Sequence, residues 1–85
     1  MEEGMILVEL DELLDPRLSA TTGKNYHYLS VRREGSGTAE MYISESIYNK
    51  IKALRLARGA MMFLQFALNK YKGQFEARLV DVQAA

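Results

Sequence analysis

Between Gly23 and Gly37 the chain alternates in character. Tyr26, Tyr28, Ser30 and Arg32 fall on one side of an extended backbone, and His27, Leu29, Val31 and Arg33 on the other. The period of two predicts a strand over Tyr26–Arg33, with the Leu29 and Val31 face toward a core. Glu34-Gly-Ser-Gly follows as a tight turn, where glycine supplies the positive φ of short hairpins. Alternation then resumes over Thr38–Ile43, with Ala39, Met41 and Ile43 on one face and Thr38, Glu40 and Tyr42 on the other. Upstream, Met5-Ile-Leu-Val-Glu-Leu-Asp is apolar and β-rich and predicts an opening strand, with residues 1–4 as a loose tail. From Asp15-Pro16 to Asn25 the Pro, Ser, Thr, Gly and Asn content predicts a loop.

The period changes at Ser44. Ser44-Glu45 suits an N-cap followed by an acidic first turn, and Ile47, Ile51, Leu54 and Arg58 fall on one stripe of a helix. The helix is predicted over Ser44–Arg58, with Gly59 as its stop. Gly59-Ala-Met-Met-Phe-Leu-Gln-Phe-Ala-Leu is short and apolar throughout, which predicts a strand buried on much of both faces. A turn over Asn69–Gly73 leads to a last strand, Gln74–Val82. The order β-β-β-α-β-β over residues 5–85 predicts one mainly β domain, a five-stranded OB-fold Greek-key barrel with a helix between strands three and four.

In an OB-fold, ligands lie across the outer face of strands two and three, between the loops joining strands one to two and four to five. That face carries Tyr26, Tyr28, Arg32 and Tyr42 here. The first loop supplies Arg17 and Lys24, and the second supplies Lys70, Tyr71 and Lys72 with Phe75 just beyond. Single-stranded nucleic acid needs cations along its phosphates and flat rings to receive unstacked bases. Rings interleaved with Lys and Arg therefore predict a stacking platform. The plain alternative is that tyrosine favours strands and that Tyr28 pairs with Tyr42 across the hairpin. Glu40 lies on the same surface and would repel phosphate unless Arg32 neutralises it across the strands.

Charge sharpens this picture. The net charge is zero, yet residues 1–15 hold six acids and no base, while residues 16–85 hold eleven bases against five acids, which leaves six positive charges. An acidic opening and a basic body are compatible with a polyanionic partner, or with two solvated faces. The 85 residues, 48% hydrophobic, suffice for a single core. No run approaches the roughly 18 apolar residues of a membrane span, so no membrane partner is expected. The opening MEEGMILVEL has neither a secretory nor an organellar pattern, and cysteine is absent, so the expected location is cytoplasmic.

Catalytic chemistry finds little material. His27 is the only histidine, with no cysteine and no paired acids near it in sequence, so no metal is expected. Nothing resembles a nucleophile elbow, Gly35-Ser-Gly37 lies in a hairpin rather than before a helix, and Glu9, Asp11, Glu12 and Asp15 lack calcium-loop spacing. No enzyme activity and no cofactor are expected. Met61, Phe63 and Gln65 point opposite to Met62, Leu64 and Phe66, and the surplus of apolar surface is covered either by the helix or by a second copy of the chain; a homodimer is the expectation.

Three stretches also resemble the filamentous-phage single-stranded-DNA-binding proteins, the gene V protein family. They are Met5-Ile-Leu-Val-Glu-Leu at the opening strand, Gly23-Lys-Asn-Tyr26 at the start of strand two, and Lys72-Gly-Gln-Phe75 followed by Leu79-Val-Asp. The resemblance implies a small OB-fold homodimer that coats replicating single strands, with Lys24 on phosphate and Tyr26 and Phe75 on bases. The helix over Ser44–Arg58 has no counterpart in that family. The expected function is therefore sequence-independent binding of single-stranded DNA. RNA, or an OB-fold module binding protein through the same rings, are the alternatives.

Overall fold

The computed structural model describes residues 2–85, with side chains from residue 4 onward. The chain is mainly β with one helix: β1 (Glu2–Leu13), β2 (Arg17–Leu18), β3 (Asn25–Arg33), β4 (Gly37–Ile43), α1 (Glu45–Leu54), β5 (Met61–Tyr71) and β6 (Gln74–Ala84). Every pairing is antiparallel, and the long strands lie side by side in the order β4-β3-β1-β5-β6.

The alternation read from β3 and β4 is observed in outline, with Ser30 buried on the outer face and Arg33 and Ala39 exposed at the end of the inner one. His27, Leu29, Val31 and Ile43 are buried, while Tyr42 and Arg32 stand on the other face. Leu29, Val31 and Ile43 join Val8 and Leu10 of β1, Met62 and Leu64 of β5, and Val82 of β6 in one core. Ile47 and Ile51 of α1 close it from the open side of the sheet, where the helix packs on β6, β3 and β1.

Several boundaries differ from the sequence expectation. β1 begins at Glu2, so residues 2–4 are no loose tail; their backbone pairs with Phe66, Ala67 and Leu68 because β5 runs long enough to offer partners. The long loop before β3 is mostly hairpin. Arg17 and Leu18 pair with Tyr26 and Asn25, and the chain reverses only over Ser19–Lys24, held by hydrogen bonds from the Ser19 and Gly23 N–H groups to the Lys24 and Ser19 carbonyls. A bulge at Asp11 shifts the β1–β3 register by one residue, which swings the strand so that β2 continues along β3.

The helix starts as expected. Ser44 is extended and its Oγ accepts from the Ile47 N–H, as an N-cap does. It stops four residues earlier than expected, because Arg55 already takes the left-handed capping conformation, with φ 51°; Gly59 has its own positive φ of 91° beyond the helix. Ile47 and Ile51 are its buried residues, and past Leu54 only Leu56 still packs, partly buried, against the core. Gly59 instead donates its N–H to the Leu10 carbonyl and leads the chain back to β1.

The turn between β5 and β6 is also shorter than Asn69–Gly73. Lys72 and Gly73 alone form it, with φ of 48° and 80°, and two positive φ values match the twist of a two-residue hairpin. β5 buries Met62, Leu64 and Ala67 and half-covers Phe63 and Phe66, but leaves Met61 exposed, so it is not buried on both faces throughout.

The closed barrel is not observed. No pairing joins β4 to β6 among the described residues, and the sheet keeps two edges. α1 lies across the gap and fills it with Ile47 and Ile51. The β6 edge is interrupted by a bulge at Val80. Beside it, Asp81 accepts from the Val82 N–H and pairs with Lys50 of α1; the hydrogen bond from Lys50 first, then that from Val82, holds its carboxyl below the usual carboxylate range. Among the described residues, no helix is long and apolar enough to cross a membrane.

Candidate nucleic-acid interface

Pairing of Tyr28 with Tyr42, and of Arg17 with Tyr26, gathers three rings and a guanidinium at one end of the outer face. The Tyr42 ring lies 5.9 Å from Tyr26 and 6.1 Å from Tyr28, tilted against the first and edge-on to the second. Neither neighbour stacks face to face on it, and Tyr42 is 59% exposed, whereas Tyr26 and Tyr28 are half-buried. The cross-strand pairing that explains these tyrosines structurally is therefore real, and it also leaves one ring open.

Arg17 lies over the Tyr28 ring, 4.6 Å from its centre, and its Nη1 is 2.9 Å from a Glu40 carboxylate oxygen. The face of Tyr28 is thus occupied by a cation, and Tyr42 is the ring of the three left open. Arg17, not Arg32, neutralises Glu40. Arg32 does not reach that role because it sits beside Thr38, two positions along from the Ser30–Glu40 pair. Both groups in the Arg17–Glu40 pair are about half exposed, so the bond is easily exchanged for another anion.

Between the tyrosines and Arg32 the surface turns acidic. Ser30 is buried there, its hydroxyl donating to Asp11 Oδ2 at 2.9 Å, and Arg58 Nη2 donates to the other Asp11 oxygen at 3.0 Å. Ser30 loses water but keeps its hydrogen bond, and the Asp11 bulge is tied to the segment after α1. Beyond this stripe Arg32 lines a separate open depression of about 620 Å3 with Leu7, Glu9, Arg33, Glu34 and Met61. Arg32 therefore belongs to the same face but not to the ring cluster.

Lys70, Tyr71, Lys72 and Phe75 do not join the cluster either. They stand on the β5–β6 hairpin, which extends past the Glu2 end of β1, whereas Arg17 and Tyr26 lie past its Leu13 end. Tyr71 and Phe75 are among the most exposed rings of the chain, at 58% and 70%, and the Lys72 ammonium is 5.4 Å from the Tyr71 ring centre. Two ring-and-cation groups thus mark opposite ends of β1. Lys24 stays with the first, in the loop where Thr22 Oγ1 approaches the Tyr26 hydroxyl at 3.5 Å.

His27 is nine-tenths buried, with its ring 4.5 Å from that of Tyr48 on α1. Its Nδ1 has no hydrogen-bond partner, and no group of three metal-ligating side chains occurs, among the described residues. Asn25 and Glu45 are site residues that the sequence did not single out. With Lys24, His27 and Tyr42 they line a depression of about 420 Å3 next to the ring cluster. The signal that links them is the β3–β4 register followed by the immediate start of α1, which is tertiary information. No protein-family model, curated protein or solved structure matches the chain.

Proposed function

We propose that this protein binds single-stranded DNA with little sequence preference along most of the strand. The observation that carries the reading is Tyr42: an exposed ring, braced by Tyr26 and Tyr28, with Arg17 and Lys24 beside it. A base stacks on such a ring only when it is unpaired, and the adjacent cations meet its phosphates. Lys70, Tyr71, Lys72 and Phe75 form a second contact at the far hairpin, for a strand long enough to reach it. Strand pairing supports the OB-fold side of the reading, because β4-β3-β1-β5-β6 is the order of a five-stranded Greek-key barrel opened between its third and last long strands.

The test is titration of a fluorescent single-stranded oligonucleotide, with a matching duplex and an RNA of the same sequence alongside, at two salt concentrations. Tyrosine quenching gives a second channel, since the chain has no tryptophan. The expected result is single-strand binding that weakens steeply with salt, as counterion release requires. Tighter binding of the RNA would change the ligand and keep the platform. Absence of binding to all three at low salt would leave the rings to a protein interface.

We also propose that a second copy covers the apolar outer surface of β1, β5 and β6, where Met5, Leu7, Met61 and Val80 are exposed. Glu9, Glu34, Arg32 and Arg33 surround part of it with both signs of charge, which suits a self-complementary two-fold contact. Sedimentation equilibrium should give twice the 9.7 kDa chain mass. A single 9.7 kDa species at high micromolar concentration would remove the dimer from the account.

A further inference from the structure

The depression at the junction of β3, β4 and α1 is too particular in its chemistry to be a second phosphate contact. Its lining residues are Lys24, Asn25, His27, Tyr42 and Glu45. Lys24 and Glu45 carry opposite charges, yet neither forms an ion pair among the described residues. The buried imidazole of His27 has an unpartnered nitrogen, and Asn25 adds an amide that both donates and accepts. Glu45 would repel a phosphate placed here. A neutral, flat ligand with hydrogen-bonding edges fits both the carboxylate and the Tyr42 ring that forms part of the wall.

A nucleobase is such a ligand, and the carboxylate selects among the four. It can only accept, and it is best satisfied by two adjacent donors. Guanine alone offers that pair, N1–H beside the N2 amino group. Thymine has one N–H flanked by two carbonyls that repel a carboxylate, and adenine and cytosine place their amino group beside an unprotonated ring nitrogen. Guanine also presents O6 and N7 as acceptors for a cation.

Resting on the single-strand reading above, we propose that this depression holds one guanine of the bound strand. Its ring stacks on Tyr42, N1–H and N2–H donate to Glu45, and O6 accepts from Lys24, which leaves the phosphate at this one position to Arg17. The rest of the platform remains indifferent to sequence, so the selectivity is confined to one position. Reading an unpaired base on its Watson–Crick edge is how single strands are distinguished by sequence.

The experiment uses oligothymidine carrying one central guanine, hypoxanthine, adenine or cytosine, bound to the full chain and to Glu45→Gln. One guanine should tighten binding about tenfold over plain oligothymidine, in keeping with a bidentate base contact. Hypoxanthine, which lacks the N2 amino group, should fall between them, and Glu45→Gln should erase the difference. Glu45 is exposed, and a circular-dichroism melt confirms that the variant folds. Guanosine and thymidine 5′-monophosphates are titrated separately, observing the ring resonances of His27, the only histidine.

A shift with the guanine nucleotide alone supports the site. Equal affinity for every base, with no His27 shift, would overturn the guanine site and leave single-strand binding standing. A His27 shift with guanosine monophosphate, without binding of any strand, would overturn the single-strand reading and keep the site. Failure of both arms would remove both.

Discussion

Tyr42→Ala should weaken single-strand binding by roughly five- to 150-fold, the range that follows from about 1–3 kcal/mol for one stacked base. The expectation is specific to this ring because its two neighbours are compromised as platforms. Arg17 covers Tyr28, and Tyr26 is half-buried against the loop that holds Thr22. Tyr42 lies on the exposed face of β4 and is 59% exposed, so its removal opens no cavity in the core. Stability should change by no more than about 0.5 kcal/mol, as for other surface substitutions. Fluorescence anisotropy with a short oligonucleotide measures the loss, and a urea melt checks the fold. Tyr71→Ala is the matched control at the other end of β1. If Tyr71→Ala abolished binding while Tyr42→Ala left it intact, the platform would have to be moved to the β5–β6 hairpin.

The second large effect concerns the opposite face of the same sheet. Leu29→Ala should cost about 3–5 kcal/mol of folding stability, the lost transfer energy plus the cavity left in a close-packed core. Leu29 has no exposed surface; it pairs with Leu13 on one side and Met41 on the other, and belongs to the cluster formed with Val8, Met62 and Ile51. A domain of 85 residues has a total stability of about 4–13 kcal/mol on the usual scale per residue, so this one change removes a large share of it. The midpoint of urea denaturation should fall sharply while binding by the folded fraction is retained. A loss under about 1 kcal/mol would mean that the face carrying Leu29 is not the core, since deletion of buried methylenes is not so cheap. The pair of substitutions thus separates the two faces of β3 and β4: one should affect binding and spare stability, the other the reverse.

How much of this was legible in the chain varies by element. The alternation from Tyr26 to Arg33 and from Thr38 to Ile43 assigned side chains to their faces correctly, because a strand's period of two is a local property of the backbone. Ser44 as a cap is local in the same sense, since its Oγ needs only the N–H three residues on. The end of α1 was not legible. Gly59 is the obvious stop by residue type, but Arg55 ends the helix, four residues sooner and beyond the last buried position at Ile51.

The site divides along the same line. The chain by itself determined that Tyr26, Tyr28 and Tyr42 share a face, because their spacing fixes it. It also determined that Arg17 and Lys24 lie near the start of β3. Tertiary structure alone decided the rest. The Asp11 bulge and the short β2 carried Arg17 onto Tyr28 and Glu40, and α1 lay across the gap between β4 and β6 where a barrel would have closed. Glu45 came to share a depression with Lys24, 21 residues earlier, because the hairpin register brings Ile43 opposite His27 just before the helix begins. Face is fixed by local periodicity; neighbourhood depends on register and on which elements compete to cover the core, and neither is encoded within a single window of sequence.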